Sequence, residues 1–223
     1  MSMKLAIFDL DGTLIAKDSD HAFGDYLVEI GWADGAAFKR ENDFFYQQYL
    51  AGTLDIDAYV EFATRPWRDR PAREQHDIVA RFMREQMQPA IGEAARALVR
   101  QHLDAGDRVV IATSTNEFIT RPIADAFGVA TLIATQLERN AQGRVTGHIR
   151  GIPSLRDGKV KRVQQWLQAE GLRLTDFDAS VFYSDSTNDL PLLEVVSDPV
   201  ATNPSPALEA IARERGWRIL RLF

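Results

Sequence analysis

Two pairs of acidic residues stand directly after short apolar runs. Residues 4–14 read KLAIFDLDGTL, so Asp9 and Asp11 follow LAIF, while Asp185 and Asp189 follow the run VFYS. A short continuous apolar run is typical of a strand that is buried on both faces. A carboxylate buried at the end of such a strand costs stability. Its presence there therefore indicates a functional role. The two pairs therefore predict a site at strand ends.

The chemistry of such a site follows from its charges. Carboxylates that converge repel one another unless a cation is present, and oxygen ligands without nearby Cys or His suit Mg²⁺. Thr113 and Ser114 follow the run VVIA, and Lys159 opens a predicted helix. That lysine and the N-terminus of a helix predicted to begin at Ser114 would attract an anion such as phosphate. One carboxylate could then attack phosphorus, while a second protonates the leaving oxygen and later activates water.

Strands and helices alternate along most of the chain. Predicted strands lie at 5–8, 108–113, 129–135, 180–184, 199–203 and 217–223. Predicted helices lie at 91–106, 159–171, 188–196 and 206–216, another begins with the capping-box pattern Ser114-Thr-Asn-Glu117, and a hairpin is predicted at 137–149. This alternation predicts an α/β fold with a doubly wound, parallel, Rossmann-like sheet.

A mostly helical block separates the first strand from the others. Its predicted helices lie at 23–32, 38–52 and 76–87, with Gly31 and Gly52 at helix ends. We expect residues 16–88 to form a helical cap that is inserted into an α/β core made of residues 1–15 and 89–223. Within the block, Phe44, Phe45, Tyr46 and Tyr49 are expected to be core residues rather than a stacking platform. Arg65, Arg68 and Arg70 are expected to be solvated, with contact to a substrate carboxylate or phosphate as the alternative.

Composition narrows the function further. The 223 residues are 45% hydrophobic, carry a formal net charge of -6 and include no cysteine. Nucleic acid and anionic membranes are therefore poor default partners, and disulfides, thiolate metal sites and a Cys nucleophile are excluded. No apolar run approaches the length of a membrane span. We expect a cytoplasmic protein with a small-molecule partner, and the sequence gives no oligomeric state.

Four motifs in order closely resemble those of the haloacid dehalogenase superfamily. Asp9-Leu-Asp11-Gly12-Thr13 resembles its first motif, DxDGT, and Thr113 matches the second-motif Ser/Thr. Lys159 in DGKVKR matches the third motif, and residues 184–189, SDSTND, resemble the fourth, with serine at two glycine positions. The resemblance covers essentially the whole chain.

The resemblance implies a role for each matching residue. Asp9 would be the nucleophile that forms an aspartyl phosphate, and Asp11 the general acid and base. Thr113 and Lys159 would hold phosphoryl oxygens. Mg²⁺ would be bound by Asp9, the backbone carbonyl of Asp11 and Asp185, with Asp189 near the metal or orienting Lys159, and Asn188 would be a positioning residue.

The position of the helical block indicates a subfamily. A helical cap between motifs one and two resembles the phosphoserine phosphatase-like group, subfamily IB, and its histidinol-phosphatase-related branch. Members carry an acid nine residues after the nucleophile that contacts the substrate amine, and Asp18 stands there. A helix cap is the alternative for Asp18, and Ser114 would face the anion site through its backbone N–H.

The resemblance implies a Mg²⁺-dependent phosphatase of small phosphate monoesters, with phosphoserine and histidinol phosphate among the open substrates. An Asp at position 11 favours phosphate-ester chemistry over dehalogenation. Two alternatives stay open. One is a phosphotransferase that passes the phosphoryl group to an alcohol, and the other is a regulatory protein that binds phosphate without turnover.

Overall fold

A parallel sheet organises the computed structural model, which describes residues 3–223. Its strands are β1 (Lys4–Phe8), β2 (Arg108–Asn116), β3 (Thr131–Thr135), β4 (Leu137–Arg139), β5 (Val145–Ile149), β6 (Ala179–Ser184), β7 (Asp198–Thr202) and β8 (Arg218–Leu220). Six strands pair in the order β3-β2-β1-β6-β7-β8, all in parallel. β4 and β5 form a separate antiparallel hairpin. The predicted parallel sheet and the predicted hairpin are both confirmed.

Strand β1 is central because both of its faces are apolar. Leu5 and Ile7 pack into one hydrophobic cluster, Ala6 and Phe8 into the other, and all four side chains are fully buried. The strand lies between β2 and β6. Since the three strands run in parallel, their carboxyl ends meet at one edge of the sheet, which is where open α/β sheets bind ligands.

The helices connect and cover the strands. They are α1 (Ser19–Glu29), α2 (Gly35–Leu50), α3 (Ile56–Thr64), α4 (Ala72–Phe82), α5 (Glu93–Asp104), α6 (Glu117–Ala126), α7 (Asp157–Ala169), α8 (Leu190–Leu193) and α9 (Pro206–Arg215). Gly31 and Gly52 follow α1 and α2 with φ of 74° and 69°, the left-handed geometry that favours glycine. Their predicted place at helix ends is confirmed. None of these helices has the length and apolarity needed to cross a bilayer.

The connection between α3 and α4, residues 65–71, is mostly polar in sequence but contains a core residue. Trp67 is only 1% exposed, and its ring stacks on Phe118 at 4.4 Å between centroids. Its Nε1–H donates to the Ala63 carbonyl at 3.0 Å, so the indole is buried with its polar atom satisfied. The Trp67 side chain therefore packs the helical block against α6.

The helix predicted to begin at Ser114 begins later. β2 continues to Asn116, whose side chain accepts from the backbone N–H of Ile119 and caps α6. The Thr135 hydroxyl donates to the Ser114 carbonyl at 2.7 Å, and the pairing with β3 shifts register between Ala112 and Asn116. The predicted capping box at Ser114 is therefore wrong, because a pairing with a strand remote in sequence keeps this segment extended.

The predicted helix at 188–196 is also shorter than expected. It consists of a 3₁₀ turn, Thr187–Asp189, followed by the single turn of α8. Ser197 then exchanges hydrogen bonds with Ser180 at the start of β6, which draws the chain out of the helix and towards β7.

Candidate active site

A lysine lies between two aspartates at the carboxyl edge of the sheet. The Nζ atom of Lys159 is 2.8 Å from Asp9 Oδ1 and 2.7 Å from Asp189 Oδ1. The three side chains are almost fully buried. The Ser184 hydroxyl donates to Asp189 Oδ2 at 2.7 Å, so Asp189 is engaged on both oxygens. Residues from β1, α7 and the segment after β6 thus meet although they are far apart in sequence.

Helix α7 buries Lys159 because this residue lies on the inward face of the helix. Lys159, Val163 and Leu167 are the buried residues of the helix and follow one another at a spacing of four. Gly158 allows the first turn to approach the preceding loop, since a Cβ there would overlap the Pro153 carbonyl oxygen. An ammonium group at this depth is tolerated only when it is paired, and the two carboxylates provide that pairing.

Asp11 is held by donors from two other elements. The backbone N–H of Ser19, at the start of α1, donates to Asp11 Oδ1 at 2.8 Å. The Thr115 hydroxyl, from β2, donates to Asp11 Oδ2 at 2.9 Å. Both oxygens are therefore fixed in direction, and the carboxylate connects the helical block to the sheet.

The turn after Asp11 brings the chain against Asp185. The Thr13 hydroxyl donates to Asp185 Oδ1 at 3.0 Å, and a Cβ at Gly12 would stand 2.5 Å from Asp185 Oδ2. Gly12 also has φ of 74°. This position therefore favours glycine for two reasons, its left-handed backbone and the close approach of Asp185. Asn203 donates to the carbonyls of Gly12 and Thr13 at 3.1 and 3.0 Å. Sequence reasoning missed Asn203, although this residue ends the strand predicted at 199–203.

Thr113 and Ser114 occupy the extended end of β2. Thr113 is 1% exposed, and its Oγ1 accepts from the backbone N–H of Thr115 at 3.2 Å. Both residues line the same cavity as Asp9 and Asp11.

Asp18 and Asn188 lie on different sides of the site. Asp18 is the N-cap of α1 and accepts from the His21 backbone N–H at 2.8 Å, and it also lines the cavity. The position of Asp18 is therefore compatible with a helix cap and with a contact to the substrate amine. Asn188 is outside the residues that line the cavity, and its Nδ2 donates to the Tyr49 carbonyl, at the end of α2, at 3.0 Å.

Burial and mutual repulsion raise the pKa values of these acids. Desolvation by burial raises the pKa of Asp9 from 3.8 to about 7, against the opposing effect of Lys159. Burial and the nearby Asp18 raise the pKa of Asp11 to about 7, although its donors oppose the shift. Burial, Asp9 and Asp189 raise the pKa of Asp185 well above 3.8. Burial alone would lower the pKa of Lys159, but the carboxylates of Asp189 and Asp9 outweigh burial and raise it.

The carboxylates around Lys159 outnumber the cations, so the site can accept a further cation. The carboxylates of Asp9 and Asp189 both raise the pKa of Asp185, and Lys159 is the cation paired with Asp9 and Asp189. The Oδ2 atom of Asp185 faces the space that Gly12 leaves open. An oxygen-only donor set with excess negative charge fits a hard divalent cation.

A cavity extends from Asp9 and Asp11 towards the helical block, while Lys159, Asp185 and Asp189 are outside its lining. The space between its lining residues is about 590 Å³, a volume that includes open solvent. The predicted site residues that line it are Asp9, Asp11, Asp18, Thr113 and Ser114, and the lining residues that sequence reasoning missed are Asp20, Asn42, Tyr59, Thr115 and Asn116. Two of these carried a signal, since Thr115 follows Thr113 at strand spacing and Asp20 follows Asp18 in a first helical turn. Asn42 and Tyr59 carried none.

Aromatic residues of α2 also contribute to the cavity. Phe45, Tyr46 and Tyr49 all line it. Phe45 is a core residue as well, at 8% exposure, whereas the two tyrosines are partly exposed. The predicted core place of Tyr46 and Tyr49 is therefore wrong, because the helix turns these rings towards the strand ends. It is also wrong for Phe44, which lies on the outer face of α2 and is 57% exposed.

Arg65, Arg68 and Arg70 of the helical block have partners outside the cavity lining. Arg65 lies 3.6 Å from Glu41, and the Arg70 guanidinium stacks over the Trp32 ring at 3.8 Å. Arg68 contacts the hairpin at Gly147. None of the three is among the cavity residues, in agreement with their predicted surface role.

A second acidic cluster lies at the outer rim. His21, Asp25 and Asp43 place ligand atoms within 4.8 Å of one another. Lys39 already compensates the acids, at 2.9 Å from Asp25 and 3.7 Å from Asp43. This cluster is a solvated ion-pair network.

The fold and the site together define a Rossmann-like α/β enzyme that is equipped for phosphoryl chemistry. A model of the family described as haloacid dehalogenase-like hydrolase matches residues 6–194. The chain belongs to this family, and the resemblance predicted from its motifs is confirmed. The phosphoserine phosphatase-like subfamily fits.

Individual relatives agree with this assignment. A histidinol-phosphatase of Neisseria meningitidis serogroup C (strain 8013) is 46% identical over 216 residues, which cover 97% of each chain. A phosphoserine phosphatase of Mycobacterium tuberculosis (strain ATCC 25618 / H37Rv) is 31% identical over 217 residues, which cover 96% of this chain and 69% of that protein. The chain is a phosphatase, that is, a phosphoric monoester hydrolase.

Solved structures have the same fold. A protein of unknown function from Bordetella pertussis Tohama I superposes with a TM-score of 0.94 at 46% identity, with all of both chains covered. A substrate-bound phosphoserine phosphatase gives a TM-score of 0.68 at 17% identity, with 99% of this chain and 93% of that chain covered. The second likeness concerns the fold alone.

Proposed function

We propose that the protein hydrolyses a small phosphate monoester with Mg²⁺ through a covalent aspartyl phosphate on Asp9. The observation that carries this proposal is the pair Asp9 and Asp11, which line one cavity while Lys159 holds Asp9 at 2.8 Å. An ion-paired nucleophile beside an independently held acid is the arrangement that a two-step displacement needs.

Asp9, the backbone carbonyl of Asp11 and Asp185 are the groups that would hold Mg²⁺. When bound, the metal would neutralise carboxylate and phosphate charge. We assign Asp189 to orienting Lys159 rather than to direct metal binding, because its oxygens already accept from Lys159 and Ser184.

The reaction would proceed in two displacements. In the first, an Asp9 oxygen bonds to phosphorus, the bond to the ester oxygen breaks, and Asp11 gives its proton to the leaving alcohol. In the second, water loses a proton to Asp11 and attacks the phosphorus, which releases inorganic phosphate and restores Asp9. The pKa of Asp11, raised to about 7 by burial and by Asp18, suits both directions of proton transfer near neutral pH.

Two further roles concern anion binding. The Thr113 side chain and the backbone of Ser114 would face phosphoryl oxygens from the end of β2, with Lys159 contributing the positive charge. These roles are consistent with the place of both β2 residues in the cavity lining.

We further propose that residues 16–88 act as a cap over the site. Side chains of α1, α2 and α3 line the cavity together with the strand ends. The end of α2 is also contacted from the α/β side, where Asn188 donates to the Tyr49 carbonyl and Arg156 to the Gly52 carbonyl. Closure would exclude water during attack, and opening would release the products.

The substrate that we favour is an amine-bearing phosphate monoester, with the amine at Asp18. Histidinol phosphate is the leading candidate, because the 46% identical Neisseria protein is named for that activity. Phosphoserine is the second candidate, from the 31% identical relative. Either substrate would be consumed in the cytoplasm, where we expect the protein.

Turnover of p-nitrophenyl phosphate with Mg²⁺ tests this proposal. Asp9→Asn should reduce kcat by at least about 10³-fold, since the nucleophile is lost, and Asp11→Asn by about 10²-fold or more, since proton transfer is lost. Asp104→Asn, an exposed carboxylate at the end of α5, is the matched control and should keep wild-type activity.

Two outcomes would contradict the proposal. Wild-type kcat in Asp9→Asn would exclude the covalent mechanism, and phosphate binding without turnover of any ester would favour a regulatory protein. Added glycerol should leave inorganic phosphate as the main product, whereas a phosphorylated glycerol product would favour phosphoryl transfer to alcohols.

A further inference from the structure

The charged side chains that line the cavity are mostly acidic. Four carboxylates line it, from Asp9, Asp11, Asp18 and Asp20. Within residues 3–223, no Lys or Arg is among the lining residues. Lys159 lies behind Asp9 and is already paired with two carboxylates.

Lys17 lies beside the cavity but is not among its lining residues. Lys17 lies in an outer groove that shares Asp18, His21 and Tyr46 with the cavity, and its ammonium donates to the Gln86 side chain at 3.2 Å. His21 also lines the cavity, and its Nε2 already lies 2.8 Å from Asp43 Oδ1. A carboxylate on the substrate would therefore meet four acids and no lysine or arginine among the described lining residues. Like charges brought together in this way cost several kcal/mol.

Asp20 lies in the first turn of α1, and the cavity offers it only weak partners. Its Oδ1 accepts from the Asn116 amide at 3.4 Å, a long hydrogen bond, while an ionised carboxylate has about four acceptor positions. Burial and the nearby Asp18 and Asp11 raise the pKa of Asp20 well above 3.8, and the Tyr59 hydroxyl opposes this shift. These shifts favour the neutral carboxyl, and a cationic ligand group beside Asp20 would instead stabilise its ionised form.

The walls beside Asp20 are apolar and partly aromatic. Leu54, Ile56, Tyr59 and Val60, from α3 and the loop before it, line the cavity together with Phe45. Such a lining packs against the faces of a flat ring or an alkyl chain while its few polar groups fix orientation.

We propose that Asp20, with Asn116 and Tyr59, forms a second nitrogen-binding subsite beyond Asp18. This inference rests on the proposed function and names its substrate class. The enzyme takes the phosphate monoester of an alcohol with two basic nitrogen groups and no carboxylate. One group is an amine that meets Asp18, and the other is a flat, protonatable heterocycle that meets Asp20 between the apolar walls. Histidinol phosphate has both groups, whereas phosphoserine lacks the second and carries a carboxylate.

Three esters and one variant test the subsite. Histidinol phosphate carries both nitrogen groups, phosphoethanolamine carries the amine alone, and phosphoserine adds a carboxylate to the amine. In the wild type we expect kcat/KM to fall in that order, with phosphoserine about a hundredfold or more below phosphoethanolamine. Asp20→Asn should reduce the ratio of kcat/KM for histidinol phosphate over phosphoethanolamine by about tenfold or more, chiefly through KM.

A matched control separates local charge from general acidity. Asp57→Asn changes the same chemistry at an exposed position in the first turn of α3 and should leave that ratio unchanged. Tyr59→Phe removes only the hydroxyl beside Asp20 and should lower the ratio by a smaller factor.

The outcomes distinguish this inference from the proposed function. An equal loss on histidinol phosphate and phosphoethanolamine in Asp20→Asn would overturn the subsite, as would phosphoserine turnover equal to that of phosphoethanolamine. In either case p-nitrophenyl phosphate turnover by the wild type would leave the phosphatase mechanism intact. No turnover of any of the four esters would instead overturn the proposed function, and the subsite with it.

Discussion

Replacing Lys159 with methionine removes the ammonium between Asp9 and Asp189 and nearly preserves side-chain volume. Lys159 is 1% exposed, and its Nζ lies 2.7–2.8 Å from the two carboxylates. Removing one partner from a buried ion pair costs about 3–5 kcal/mol, because it leaves uncompensated charge. At about pH 8 we therefore expect the metal-free variant to lose about 3–5 kcal/mol of unfolding free energy, a large part of the typical total.

The loss of unfolding free energy in Lys159→Met should depend on pH. Loss of the cation raises the folded-state pKa of Asp9 further, from a value of about 7 that burial has already set. As pH falls, Asp9 binds a proton in the folded variant and the excess charge decreases. The deficit at about pH 6 should therefore be smaller than at about pH 8, by roughly 1–2 kcal/mol.

Urea denaturation followed by far-ultraviolet circular dichroism, without metal, measures both effects. Lys161→Met is the control, because Lys161 is exposed on the same helix and its loss should change stability by no more than about 0.5 kcal/mol. A deficit below about 1 kcal/mol for Lys159→Met at pH 8, or a deficit that grows as pH falls, would refute the reasoning.

Two further predictions concern the metal site. In the metal-free wild type, Asp9 and Asp11 have a folded pKa of about 7 against an ordinary 3.8, so stability should fall as pH rises between these values, and Mg²⁺ should raise Tm more at about pH 8 than at about pH 5.5. A pH-independent Mg²⁺ shift in a thermal-shift assay would contradict this. Gly12→Ala places a Cβ 2.5 Å from Asp185 Oδ2, so we expect the Mg²⁺ shift to be lost and kcat to fall by about tenfold or more. Gly143→Ala has a similar φ of 78° but open space around the new Cβ, and should retain both properties.

Local patterns in the sequence predicted much of the fold. The apolar run before Asp9, the helical face of α7 and the glycines after α1 and α2 each depend on neighbours within a few residues. Such signals survive in isolation, because strand and helix periodicity and left-handed glycine are properties of short segments. Errors arose where a distant strand decided the outcome, as at Ser114, which pairing with β3 keeps extended.

The sequence by itself determined the chemistry of the site, since Asp9, Asp11, Lys159 and Asp185 are visible in ordered motifs at predicted strand and helix ends. Only the tertiary structure decided the surroundings of that chemistry. It brings Asn116, from the end of β2, to within 3.4 Å of Asp20 and turns the tyrosines of α2 into a cavity wall. The physical reason is that residues separated by most of a domain converge through packing, and packing depends on every contact in the core rather than on local spacing.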